Sequence, residues 1–201
     1  MTDTENRLPD FAMRARREAA ELGGDGLARI LESGRRWDLA DTLRSGGAVL
    51  FPHLGLRECG AQTAAAVHAC LDSGAERVLL VGVLHALTEV LDQARARVAR
   101  GGDPSQERFW SIQGPGLPGR SEWQHEFSLL GFLALWREAC SGRTGTPELV
   151  VRYPYLAGGA PGKLPGIEEL EALVEEGAVI AATADLFHHG VGYGDPPDRA
   201  L

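Results

Sequence analysis

Histidines stand at the ends of three apolar runs of this chain, where the strands of a sheet would deliver them to one edge. His53 follows the run AVLFP, His85 follows RVLLVGVL, and His188 follows AVIAATADLF. His125 comes after a loop rich in glycine and proline. Neutral imidazole is the commonest metal ligand in proteins, and it exchanges protons near neutral pH. A single histidine after a strand is more often a polar cap, but three or four at equivalent positions predict a site for metal binding or proton transfer.

Two carboxylates, a thiol and a further histidine also belong to this inventory. Asp185 precedes His188 by three residues, so it could orient an imidazole or could be a polar residue at the end of a strand. Glu126 could supply an oxygen ligand, but we favour an acid in the first turn of a helix, where the helix dipole stabilises it. A Cys59 thiolate could bind iron or zinc. His68 lies inside an alanine-rich helix, so we predict a structural or solvent-facing role.

Aromatic residues gather around the loop that precedes His125. They are Phe109, Trp110, Trp123 and Phe127. An aromatic wall beside imidazoles suits a planar organic substrate, but the same side chains could simply anchor the loop, and both interpretations stay open. The motifs of a serine nucleophile elbow, a dinucleotide fingerprint after the first strand and a phosphate-binding P-loop are absent.

The elements that position these residues alternate between strand and helix from residue 48 onward. The order is β-α-β-α-loop-α-β-α-β, which predicts a three-layer α/β/α fold with a mostly parallel sheet. Ligands bind beyond the carboxyl ends of the strands in such sheets. The fold therefore predicts that His53, His85 and His188 meet at one edge.

The first part of the chain has a different character, and we divide the chain at this point. Residues 1–47 contain three amphipathic helical pieces, with stops at Gly23-Gly24 and at Gly46-Gly47. We predict a helical N-terminal segment over residues 1–47 and an α/β domain over residues 48–201. The segment could be a packed arm or a partner-binding surface, and its ordinary apolar spacing favours the packed arm.

Composition limits the partners and the compartment. Lys and Arg number 20 against 28 Asp and Glu, a net charge of −8 that argues against a nucleic-acid partner. No apolar run reaches the roughly 18 residues of a membrane span. The N-terminus is polar and acidic, and the three cysteines form no CxxC pair. These features predict a cytoplasmic protein without disulfides.

Four segments, taken in order, resemble the Memo-like proteins, which are relatives of the class III extradiol ring-cleaving dioxygenases (LigB-type). AVLFPHLGLRECG resembles the family's strand ending in PHAGY, and VLLVGVLHA resembles the strand ending in GPSH. WQHEFSLLGFLALW resembles the helix start EHSLE, and ATADLFHHGVGYG is similar to SSDxxHxG. The resemblance covers residues 48–194.

The resemblance implies a role for each matching residue. His53 and His85 match the two metal-ligating histidines, and His125 matches a pocket histidine. Asp185 and His188 match residues that face the same site. Relatives continue beyond the end of this chain and supply a late Cys or Glu to the metal. We therefore expect that His188, Glu126 or a partner chain completes the site here, or that there is no tight metal site.

These observations lead to one main hypothesis. We expect a non-haem Fe(II) enzyme of the extradiol dioxygenase type, which uses O₂ on a small phenolic or catecholic substrate. His53, His85 and His188 would bind the metal, His125 would move a proton, and Asp185 would orient His188.

Two alternatives remain open at this point. A non-catalytic Memo-like binding protein would use the same cleft, and a metal-dependent hydrolase would hold zinc there and activate water. An exposed edge or apolar face of a short sheet also makes a homodimer or a partner subunit plausible.

Overall fold

Strands and helices alternate along the part of the chain that the structure describes. In this computed structural model those residues are 11–85, 88–118, 121–155 and 160–185. The helices are α1 (Phe11–Gly34), α2 (Ala40–Arg44), α3 (Leu56–Asp72), α4 (Glu89–Ala99), α5 (Leu130–Cys140) and α6 (Ile167–Glu175). The strands are β1 (Ala48–Phe51), β2 (Arg77–Val81), β3 (Ile112–Gln113), β4 (Glu148–Pro154) and β5 (Val179–Thr183).

These strands form a sheet with the order β1-β5-β2-β4-β3. Strands β1, β5, β2 and β4 run parallel, and only β3 is antiparallel to its neighbour β4. The mostly parallel sheet is therefore confirmed. The sequence does not predict β3, because its two residues lie inside the loop rich in glycine and proline and are too few to show an alternating pattern.

Helices pack on both faces of this sheet. On one face α1, α3 and α5 pack on one another, around a core that includes Leu80 and Phe132. On the other face α6 packs over β2, where a second core includes Leu79 and Leu170. Leu79 and Leu80, which are consecutive in β2, therefore point to opposite faces of the sheet, because side chains alternate along a strand. The predicted three-layer α/β/α fold is confirmed.

The N-terminal helical segment packs against the rest of the chain. Helix α1 resumes after the predicted stop, but the backbone of Gly23 is not helical (φ 59°, ψ −177°) and divides it into two pieces. In the second piece, Leu27 and Leu31 belong to the main core. The segment is therefore the packed arm that its apolar spacing favours.

His68 joins α3 to the end of α1 and has the structural role that we predict. It is buried, and its Nε2–H donates to the carbonyl oxygen of Leu31 at 2.9 Å. The last carbonyls of a helix lack helical donors, and the Arg35 amide donates to Glu32 instead. His68 therefore caps the carboxyl end of α1.

Within residues 11–85, 88–118, 121–155 and 160–185, no helix combines the length and the apolar character that crossing a bilayer requires.

Candidate active site at the carboxyl edge of the sheet

A cavity of about 910 Å³ lies beyond the carboxyl ends of β1, β2 and β5. Its lining includes His53, His85 and Asp185, together with the aromatic rings of Phe11 and Phe127. The three polar residues each follow a different parallel strand, so the sheet brings together side chains that lie far apart in the sequence. This is the edge at which the histidine pattern predicts a site.

His53 follows β1, and β5 fixes the orientation of its ring. Its Nδ1 lies 3.0 Å from the Thr183 Oγ1. The Thr183 hydroxyl donates its own proton to the carbonyl oxygen of Phe51 at 2.9 Å, so it must accept from Nδ1–H of the histidine. Phe51 and Thr183 are register partners in the parallel pair of β1 and β5. The remaining ring nitrogen of His53, Nε2, then faces Asp185.

The gap between Nε2 of His53 and Oδ2 of Asp185 is 3.3 Å. With Nδ1 protonated, a neutral His53 turns a lone pair toward an oxygen that also carries lone pairs, so a proton or a cation must lie between them. A protonated His53 would donate Nε2–H to this carboxylate, and a cation bound by both atoms would satisfy them as well.

His85 follows β2 and is held by Glu126. One carboxylate oxygen of Glu126, Oε2, accepts from the His85 backbone N–H at 2.6 Å, and the other, Oε1, lies 2.9 Å from the ring Nδ1. The backbone amides of Phe127 and Ser128 also donate to Oε1, at 2.7 and 2.9 Å. The Glu126 side chain has no exposed surface. It therefore supports the site from behind without lining it.

The charge of Glu126 settles the tautomer of His85. Burial alone would raise the pKa of Glu126. The hydrogen bond from the His85 ring, the positive charge of that ring when it is protonated and the hydrogen bonds from backbone amides outweigh burial and hold the pKa below its ordinary value. An ionised carboxylate only accepts hydrogen bonds, so Nδ1 of His85 carries the proton. Its Nε2 is the nitrogen left for a ligand. Imidazoles that bind metals are oriented by such acceptors on the other ring nitrogen.

Phe127 completes the packing of both imidazoles. Its ring stacks on His85 with 4.6 Å between the ring centroids and meets the His53 ring edge-on at 5.9 Å. The two imidazoles are themselves edge-on, with centroids 5.1 Å apart. One face of the His85 ring is thereby covered, and the packing fixes the plane in which its Nε2 points.

The structure brings His53, His85 and Asp185 together but leaves His125 outside. His125 is exposed on a 3-10 turn, Glu122–His125, and does not line the cavity. From the same segment, Phe127 lines it instead. His188, the predicted third metal ligand, lies outside the described residues.

Glu126 is a functional candidate to which the sequence analysis gives the wrong role. Helix α5 begins at Leu130, and Glu126 has an extended backbone (φ −76°, ψ 146°). It therefore does not lie in the first turn of that helix. The pair Glu126 and Ser128 could have indicated this role, because both side chains bind the segment that ends at His85. The Ser128 hydroxyl donates to the Val83 carbonyl oxygen at 3.0 Å. Thr183 is missed in the same way.

Cys59 has a structural environment and not that of a metal ligand. Its thiol is buried and lies 3.3 Å from the Leu54 carbonyl oxygen and 3.4 Å from that of Gly55. Burial raises the pKa of the Cys59 thiol above its ordinary value, which disfavours the thiolate that a metal requires.

The described residues do not hold a finished metal site. Within them, no group of three His, Cys, Asp or Glu side chains is arranged to hold a metal ion as it stands. What they provide is the pair His53 and Asp185, with His85 beside it.

Comparisons with known proteins return no relative for this chain. A scan against family models finds no match, and searches of curated proteins and of solved structures also find none. The resemblance to the Memo-like proteins stays a prediction that rests on the four segments quoted above.

Proposed function

We propose that this cavity is the active site of a non-haem Fe(II) enzyme of the dioxygenase type, acting on a small phenolic or catecholic molecule. The observation that carries the proposal is the state of the two imidazoles. His53 and His85 each donate Nδ1–H to a protein acceptor, and Nε2 of His53 lies 3.3 Å from the carboxylate of Asp185. Two histidines and one carboxylate with open positions are the ligand set of non-haem Fe(II) oxygenases.

The donor types at this edge suit such a metal. His53 and His85 would bind it through Nε2, and Asp185, whose Oδ2 lies 3.3 Å from Nε2 of His53, would supply the carboxylate. His188, three residues further along the chain, is the alternative third ligand. In that case Asp185 would stay beside Nε2 of His53 and would accept a proton from a substrate hydroxyl.

The chain's own residues would divide the remaining work. Bound Fe(II) would supply neighbouring positions for O₂ and for a substrate hydroxyl. Thr183 and Glu126 keep both Nδ1 atoms protonated and both rings fixed. Phe11 and Phe127 give the cavity an apolar lining beside the imidazoles. We assign no proton transfer to His125, because its side chain lies outside the cavity lining.

One observation favours a second candidate, a non-catalytic binding protein that uses the same cavity. A single proton shared between His53 and Asp185 would also satisfy both groups, and the described residues contain no complete metal site. A zinc hydrolase is the third possibility, because the same ligands suit Zn²⁺. We propose a cytoplasmic location for each of them, since the three cysteines are free.

The deciding experiment is elemental analysis of protein purified without oxygen. We expect about one iron per chain, lost in His53→Ala and in His85→Ala, followed by O₂ uptake with catechols. His125→Ala is the matched control, because it removes an exposed histidine and should keep the metal. Zinc in place of iron would favour the hydrolase. A chain that takes up no metal after reconstitution would overturn the enzyme proposal in favour of the binding protein.

A further inference from the structure

We propose that the first piece of α1, residues 11–22, is a lid that opens and closes over the cavity about a hinge at Gly23. The proposal concerns access to the cavity and does not depend on which metal or reaction the cavity supports.

The hinge is the kink at Gly23 that divides α1 into two helical pieces. Gly23 has φ 59° and ψ −177°, a combination essentially restricted to glycine. A Cβ added at Gly23 would meet no atom within 4 Å. The conformation, and not a lack of space, therefore calls for glycine here, and a few such residues at element boundaries are what hinge motions use.

The two pieces of α1 are anchored very differently. In the second piece, Leu27 and Leu31 are core residues, and Gly34 lies so close to α3 that an added Cβ would be 2.6 Å from the Ala64 Cβ. In the first piece only Ala12 is buried, and Ala19 and Leu22 are partly buried against the same core. Segments with little buried apolar surface open locally without unfolding the domain.

The first piece is held by the partly buried Ala19 and Leu22, by the ring of Phe11 and by a few polar contacts. The Glu18 carboxylate accepts from the backbone N–H groups of Leu56 and Arg57, at 3.0 and 2.9 Å, in the first turn of α3. An exposed ion pair joins Arg57 to Glu21 at 3.4 Å, and such pairs contribute little. Glu18 is thus the principal polar latch of this piece.

The lid reaches the site through a stack of three rings. Phe11 stacks on Phe127 with 5.1 Å between centroids, and Phe127 stacks on His85 at 4.6 Å. Other residues of the same piece, Arg14 and Glu18 among them, line the cavity. Lifting residues 11–22 would therefore remove one wall of the cavity and uncover the ring that packs on His85.

Hydrogen exchange of the full chain, read by mass spectrometry, tests the hinge. We expect amides of residues 15–22 to exchange at least roughly tenfold faster than those of residues 28–34, with a step at Gly23. A smooth gradient from the end of the helix would indicate ordinary fraying and would overturn the proposal, as would equal protection in both pieces.

Glu18→Ala tests the latch. We expect exchange to rise in residues 15–22 alone and carbethoxylation of His85 to become several-fold faster. The exposed His125 serves as the internal reference, and its modification rate should not change. Glu21→Ala is the matched control, because it removes a glutamate of the same helix that makes only exposed ion pairs. An effect of Glu18→Ala no larger than that of Glu21→Ala would overturn the proposed latch.

Discussion

The imidazole Nε2 of His53 and the carboxylate Oδ2 of Asp185 face each other across 3.3 Å. Thr183 occupies the other ring nitrogen, so this gap must contain a proton or a cation. The two possibilities assign different roles to Asp185, and a single substitution separates them.

Asp185→Asn should weaken metal binding if the two residues share an ion. The amide removes the negative charge while keeping the shape of the side chain, so we expect the affinity for Co²⁺ or Zn²⁺ to fall by about 10- to 100-fold or more. Calorimetric titration of the metal-free protein measures it. Asp92→Asn, at an exposed position on α4, is the control. An unchanged affinity would mean that a proton, and not a metal, occupies the gap.

Glu126→Gln should destabilise the fold although it barely changes the volume. The carboxylate of Glu126 accepts from the His85 ring and from three backbone N–H groups. A glutamine turns one NH₂ group toward these donors, so we expect a loss of about 2–4 kcal/mol in the free energy of unfolding. Urea denaturation at neutral pH measures the loss. A change below about 0.5 kcal/mol would show that Glu126 does not hold the His85 loop.

The stability that Glu126 contributes should depend on pH. Its pKa in the folded protein lies below the ordinary value of 4.5. A group with a lowered folded pKa stabilises the protein fully above its unfolded pKa, and this contribution is lost as the pH falls through the folded pKa. The stability difference between wild type and Glu126→Gln should therefore be largest near neutral pH and shrink below about pH 4.5. Urea titrations at several pH values measure it, and a difference that grows toward acid would contradict this assignment.

His68→Ala should lower the free energy of unfolding more than the removal of an exposed histidine does. His68 caps the Leu31 carbonyl at the end of α1, and its loss leaves an orphan acceptor and a small cavity in the core. We expect a loss of about 2–4 kcal/mol in the free energy of unfolding. His125→Ala is the control and should stay within about 0.5 kcal/mol of wild type. Equal effects of the two substitutions would contradict the capping role.

The sheet and the meeting of two histidines could be predicted because they depend on regular patterns. Buried parallel strands show as apolar runs, and their carboxyl ends share one edge, so His53, His85 and Asp185 converge. The strand order that makes β5 the neighbour of β1 is not encoded in any local pattern. For that reason the contact of Thr183 with His53 could not be predicted.

The segment before α5 shows where local patterns fail. It is irregular, so no periodic pattern tells which of His125, Glu126 and Phe127 points into the protein. Its conformation is set by the His85 amide, 41 positions earlier, which binds Glu126. Residue types alone therefore could not show that Phe127 lines the cavity while His125 is exposed.

Thr183 offers the sharpest test of how the site is oriented. Thr183→Val keeps the shape of the side chain but removes both the acceptor for His53 Nδ1–H and the donor to the Phe51 carbonyl. We expect a loss of about 1–3 kcal/mol in the free energy of unfolding. We also expect a fall of about 10- to 100-fold in the affinity for Co²⁺, because the ring can then turn or change its tautomer.

Thr183→Ser provides the matched comparison for this prediction. It keeps the hydroxyl, so it should restore the metal affinity even where the lost methyl group lowers stability slightly. Calorimetric titration gives the metal affinity of each variant, and urea denaturation gives its stability. If Thr183→Val binds Co²⁺ as tightly as the wild type, the hydroxyl of Thr183 does not orient His53. If only the valine variant weakens metal binding, the hydrogen bond from Nδ1–H is what directs Nε2 of His53 into the cavity.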